Sequence, residues 1–428
     1  MAPRALLVAW DYPHPDHATG SAVARRVRQI ARGFAAHGWS VDVVIRDHCA
    51  SPSRAVVRRL AERFGTETVQ IHCVPGPDGK PAERYAPLRM LASAWYALVM
   101  GDRSGRWGHI AIDYLRRGGV SRPDVIIGFY TPRGPLLTAA RAGRFWNVPW
   151  IADFQDEWSQ GSSHASLPLV RHWMRRVVES ADRVVQVSPE WAEMDRRALR
   201  RSVDVVRHAV PAQREAMHVA KQRAHGEPLT LLYSGSLNTR EQDPRPLLHA
   251  LRDLAFSRPD TAVRLAVACT ESAFDTWKRE AHQVGAAKHL RWLGWLSAAQ
   301  LECATREADA LVLIPLATRA RPGVPSKLFA YLATERPVLL AGPDSGGLAS
   351  LFSEWKAPKV LCADAATIRK AVERLMSGDC SLCLQRSALG SSPLEEGALG
   401  ATYVRWASNL TRVTMSEVPQ GAAPATAQ

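Results

Sequence analysis

Apolar positions along this chain follow two alternating periods. Short apolar runs at residues 5–10, 41–45, 124–129, 149–154 and 182–187, with a shorter segment at 204–207, read as strands buried on both faces. Between them the period lengthens to that of a helix. Over residues 22–37, Val23, Val27, Ile30, Ala31 and Phe34 share one face, and Gly38 stands where a helix C-terminus closes. A second helix is expected at 134–146, and a third from Pro189 with Ser188 as its N-cap. After a polar stretch of mixed charge the pattern restarts, with strands at 229–233, 263–269, 290–293, 310–315 and 337–341 and a helix at 246–256. Alternating strands and helices predict parallel, doubly wound α/β sheets. The interruption predicts two domains, 1–212 and 229–412, with a linker at 213–228 and a disordered tail at 413–428.

Composition narrows the class. With 46% hydrophobic and 22% charged residues among 428, the chain is globular. No apolar run reaches the roughly 18–20 residues of a membrane span. The first ten residues turn polar too quickly for a signal peptide, so the protein is expected in the cytoplasm. Seven dispersed cysteines argue against a disulfide framework, and the single CxxC at Cys380 and Cys383 reads as a reduced loop. The net charge of +14 favours anionic partners. Arginines outnumber lysines 47 to eight. No motif interleaves bases with aromatics, which puts nucleic acid last among those partners.

Candidate chemistry lies where such sheets bind ligands, beyond strand C-termini. A turn-rich loop containing Gly20 and Ser21 follows the first strand. The stretch 151–158 carries Asp153, Gln155, Asp156 and Glu157 after an apolar strand; a metal site there lacks a histidine, and helix N-capping by Asp153 or Asp156 is the simpler structural role. Gly235 and Ser236 end the first strand of the second half, with Arg240 and Arg245 beyond. Trp295 follows Gly294. Arg319, Arg321, Ser326 and Lys327 form a cationic rim before the apolar positions Leu328, Tyr331 and Leu332. Pro325 and Ser326 mark a helix start, whose free N–H groups would suit a phosphate. Two aromatic, basic regions stand apart: 85–117, with Trp95, Tyr96, Trp107 and Tyr114, and 168–178, which reads as a basic amphipathic helix that packs on its own domain or lies on anionic lipid.

The run 323–340 resembles the donor-sugar segment of glycosyltransferase family 4, in the GT-B superfamily. The stretches 20–45, 150–158, 181–190 and 229–240 resemble the same family, and the likeness extends from residue 1 to about 410. It implies two Rossmann-like domains facing across a cleft, and a sugar transferred from a nucleotide-sugar, with retention and without a bound metal or other cofactor. The implied acceptor is a glycan, a lipid-linked molecule or a small natural product, in cell-envelope or polysaccharide assembly, on or near the inner membrane face. The implied roles are Lys327, Arg240 and the backbone near Ser326 on the diphosphate, with Arg319 and Arg321 at the rim; Gly20, Ser21, Gly235 and Ser236 along the donor; Trp295 under the nucleobase; and Asp156 at the sugar or acceptor. The chain departs from the family at the paired glutamates that hold sugar and ribose, where it has Pro322 and Ala330. Gln155 replaces a histidine or arginine. These departures leave two alternatives, a catalytically silent GT-B subunit and a nucleotide-sugar epimerase.

Overall fold

Strand β1 (Arg4–Val8) is wholly apolar after its first residue and lies inside a seven-stranded sheet. In the computed structural model, residues 2–10, 22–47, 68–76, 104–156, 168–211, 227–239, 241–258, 262–316, 323–334, 336–344, 346–357, 359–385 and 395–416 are described. β2 (Ser40–Asp47) and β3 (Val69–Pro75) lie on one side of β1. On the other side are β4 (Val125–Tyr130), β5 (Trp150–Phe154), β6 (Arg183–Gln186) and β7 (Asp204–Val205). All pairings are parallel, and the order reverses between β1 and β4. Helix α1 (Ala22–Ala36) seals one face of the sheet. The other face is covered by α2 (Ser104–Arg116), α3 (Gly134–Trp146), α4 (Pro168–Glu179) and α5 (Pro189–Leu199).

The second sheet has six parallel strands in the order β10-β9-β8-β11-β12-β13. They are β8 (Leu229–Ser234), β9 (Val263–Ala268), β10 (Leu290–Gly294), β11 (Ala310–Leu313), β12 (Val338–Ala341) and β13 (Leu361–Cys362). Helices α6 (Arg245–Ser257), α7 (Glu271–Val284) and α11 (Ala365–Met376) cover one face. Helices α8 (Ala298–Glu307), α9 (Lys327–Leu332) and α10 (Gly347–Trp355) cover the other. The switch point lies between β8 and β11. The α/β class and the two doubly wound sheets match the sequence pattern.

Three features differ from it. β3 is an edge strand of mixed burial and β13 has two residues, so neither carries a continuous apolar run. Trp107 is fully buried with its indole N–H on the Val74 carbonyl at 3.2 Å, and Tyr114 bonds His72 and Gly119, so these two aromatics of the 85–117 region are tied into the fold. The last helix, α12 (Glu396–Ser416), does not stay with the second sheet, where the sequence boundary at 412 had placed it. It packs on α1, with Leu399, Tyr403 and Ala407 in the first unit's core. The helices touch at Gly33 and Gly400, where a Cβ on Gly33 would lie 2.3 Å from the Gly400 Cα. The expected tail falls partly in this helix; residues 417–428, and 213–226 of the expected linker, lie outside the described residues.

Candidate functional site

At the second sheet's switch point, β8 ends in Ser234 and Gly235, the latter at φ +95°, a conformation a side chain would strain. Above it lies Lys327, the first residue of α9. Its ammonium donates to the Tyr233 hydroxyl at 2.8 Å and the Ser234 carbonyl at 3.0 Å, 4.0 Å from the Tyr233 ring centroid. The Tyr233 hydroxyl in turn donates to the Ser236 carbonyl at 2.9 Å. One helical turn on, the Tyr331 hydroxyl accepts from the Ser234 N–H at 3.0 Å. The i, i+4 spacing puts Lys327 and Tyr331 on one face, so one short helix pins the end of β8 twice. Gln242 joins this loop to the neighbouring strand by donating to the Ile314 carbonyl at 2.7 Å.

No carboxylate pairs with Lys327 among the described residues. Desolvation and the nearby Arg25 guanidinium push its pKa down to about 7. Arg25, on α1 of the first unit, is itself lowered to about 10 by burial and by Arg28. Two cations from different units therefore share one site with no acidic partner to Lys327, an arrangement that an anion would relieve. The helix terminus adds little, because α9 has only six residues and the Ser326 side chain makes no cap.

Across from it, the C-terminal end of β5 shows opposite fates for neighbouring residues. Asp153 caps no helix. It is completely buried against Arg26, whose Nε lies 2.9 and 3.1 Å from the two carboxylate oxygens. The same guanidinium donates to the Arg207 carbonyl at 2.9 Å and the Tyr403 hydroxyl at 3.0 Å, while Tyr403 donates to Asp153. Asp153 and the Tyr403 hydroxyl hold the Arg26 pKa up against desolvation. Two residues on, Gln155 is only 4% exposed, and among the described residues neither its amide oxygen nor its amide nitrogen has a partner. Asp156 is exposed and accepts from the Thr131 hydroxyl at 2.8 Å, and its carbonyl accepts from Gln186 at 3.3 Å.

The two units meet beside these groups. Arg25, Gln29, His208, Ala209 and Pro211 face Ser326, Phe329 and Ala330 around a void of about 10 Å³. Burial, Arg26 and Arg25 hold the His208 pKa well below the usual imidazole range. Its ring centroid lies 5.5 Å from that of Phe329. Arg207 bonds Glu354 of α10 at 2.6 Å. Gly323 lies under Trp191 of α5, where a Cβ would come within 2.3 Å of the indole.

The structure thus brings together Gly235, Ser236, Ser326 and Lys327. Trp295 is 48% exposed just beyond β10, with Trp292 at 42% nearby on the strand. Arg245 is turned away, held by Asp243 at 2.8 Å on the surface. Gly20, Ser21, Arg240, Arg319, Arg321 and Pro322 lie outside the described residues, as do Trp95 and Tyr96. Among the described residues no three His, Cys, Asp or Glu side chains are grouped to hold a metal ion. Arg25 and the orphaned amide of Gln155 were not legible as site features. The available signal for Arg25 was a cation beside the buried stripe of α1, close to the Gly20 loop.

The model of the glycosyl transferase 4-like domain matches residues 21–211. A search of curated sequences gives no match. Solved structures share the architecture along almost the whole chain. Sucrose-phosphate synthase from Thermosynechococcus elongatus superposes with a TM-score of 0.58 at 13% identity, covering 97% of this chain and 98% of that one. A glycosyltransferase from Rickettsia africae gives 0.60 at 9% identity, covering 96% and 98%. A putative UDP-N-acetylglucosamine 2-epimerase from Listeria monocytogenes gives 0.52 at 11% identity, covering 99% and 98%. At these identities the solved structures speak for the fold, and the domain match speaks for residues 21–211. Residues 21–211 are similar to the glycosyl transferase 4-like domain, and the chain as a whole shares the two-sheet α/β fold of these solved structures.

Proposed function

We propose that this protein transfers a sugar from a nucleotide-sugar to an acceptor hydroxyl. The observation that carries the reading is the Lys327 ammonium, fixed over the Gly235 loop at a topological switch point and without a carboxylate among the described residues. In this reading the donor diphosphate lies on Lys327 and Arg25. As the bond from the anomeric carbon to the diphosphate breaks, negative charge grows on the leaving group, where fixed cations stabilise it. The acceptor oxygen forms the new bond to that carbon, and its proton passes to the departing diphosphate. Trp295 and Trp292 offer aromatic surface for the base, and Asp156 and Gln155 offer acceptors and donors for sugar hydroxyls. Retention, metal independence, and a glycan, lipid-linked or small-molecule acceptor follow from the family resemblance and belong to the same proposal.

One observation favours a second reading, a silent subunit that supports an active partner. Ala330 stands at the family's ribose-binding position, and the void it borders, about 10 Å³, holds at most a single water. Purified protein incubated with a panel of nucleotide-sugars separates the two. Release of nucleoside diphosphate, lost in Lys327→Ala, supports transfer. No turnover and no calorimetric binding of any donor would leave the silent reading, and an isomerised donor would point to an epimerase.

A further inference from the structure

A second cationic site lies at the opposite end of the first sheet from the cleft. Helices α2 and α3 touch near their N-termini, where a Cβ on Gly134 would lie 2.4 Å from the Ser104 carbonyl and the Thr138 hydroxyl donates to the Gly108 carbonyl at 3.2 Å. One and two turns further a cleft of about 300 Å³ opens between them. His109, Asp113 and Arg116 line it from one stripe of α2, and Arg141, Arg144 and Phe145 from one stripe of α3. Because α3 begins just after β4 and ends just before β5, this cleft sits by the strand N-termini, away from Lys327.

Among the described lining residues three guanidinium groups face a single carboxylate there. Arg144 has no hydrogen bond or ion pair among the described residues. Arg116 lies over the Phe145 ring at 5.6 Å, and Phe145 is 48% exposed. Arg141 donates to His109 Nδ1 at 2.6 Å, which requires a neutral imidazole. Burial and Arg141 hold the His109 pKa down, consistent with that state. Helix dipoles favour Arg116 and Arg144 in last turns. They do not account for the convergence of both on Arg141 around an open cleft.

We propose that this cleft binds a phosphate group, carried by a soluble phosphomonoester or by an anionic lipid. Guanidinium forks match phosphate oxygens in pairs, and the cleft has room for an organic substituent with Phe145 as its apolar shoulder. Full-length protein is titrated calorimetrically with glycerol 3-phosphate, and sedimented with phosphatidic acid–phosphatidylcholine vesicles against pure phosphatidylcholine. The variants are Arg116→Gln with Arg144→Gln, and Arg258→Gln on the second unit as control, each checked by thermal unfolding. Binding in either arm, weakened at least tenfold by the double variant and unchanged in the control, is expected; the arm that binds identifies the carrier. Absence of binding in both arms, or binding that the double variant leaves intact, overturns the proposal.

Discussion

Arg26 and Lys327 are both cations withdrawn from water, and the protein treats them in opposite ways. Arg26 is enclosed by Asp153, the Arg207 carbonyl and Tyr403, and its charge is held. Among the described residues Lys327 receives only a phenol oxygen and a carbonyl, next to a second cation, and its pKa falls to about 7. A neutralised buried cation holds structure together: this one joins α1, β5 and the last helix across more than 370 residues of sequence. A cation left short of charge is poised for a ligand that brings it. The adjacent residues Arg25 and Arg26 diverge within one helix, one lining the void between the units and the other enclosed in the core.

The contrast can be broken by exchanging what each cation lacks or has. Asp153→Asn leaves Arg26 buried without its counter-charge and is expected to lower unfolding free energy by about 3–5 kcal/mol in denaturant titration. Lys327→Ala removes two hydrogen bonds together with a desolvated cation, so it should cost well under what Asp153→Asn costs while donor turnover falls on the order of 10²–10³-fold. If Lys327→Ala unfolds the protein as readily as Asp153→Asn does, the division into structural and functional cations fails. Tyr403→Phe removes one hydrogen bond to each member of the ion pair and should cost about 1.5–3 kcal/mol in the same titration. Gln155→Leu sharpens the comparison most finely. It removes a buried amide that has no partner among the described residues, so stability should hold or rise by about 1 kcal/mol while turnover declines. A loss of stability there would mean that the amide is satisfied within the fold.

Much of the architecture was legible because it rests on local pattern. Unbroken apolar runs marked the central strands, and Ser188 caps α5 as expected, accepting from the Trp191 N–H at 3.5 Å. β3 escaped because an edge strand buries only part of its surface. The docking of α12 on α1 escaped because the Gly33–Gly400 contact has no local signature. In the site, Lys327 and Gly235 were readable from a family-like motif. The partnership of Asp153 with Arg26 was not, since the two are 127 residues apart and a carboxylate at a strand end looks equally like a cap. The one clue was Arg26 itself, standing within the apolar stripe between Val23 and Ile30. A charged residue there has to find a partner.

The pH behaviour of Lys327 ties these points together. Its folded pKa lies below that of an unfolded lysine, so the unfolded chain binds the extra proton between about pH 7 and 10.5 and native stability gains from this residue as pH rises through that window. A bound diphosphate reverses the shift by favouring the ammonium. The most direct test is therefore calorimetric titration of a nucleoside diphosphate near pH 8 in buffers of different ionisation enthalpy, with wild-type protein and Lys327→Met. The account predicts binding with uptake of close to one proton in the wild type, and weaker binding without that uptake in the variant. Equal affinity and equal proton uptake in both would contradict it.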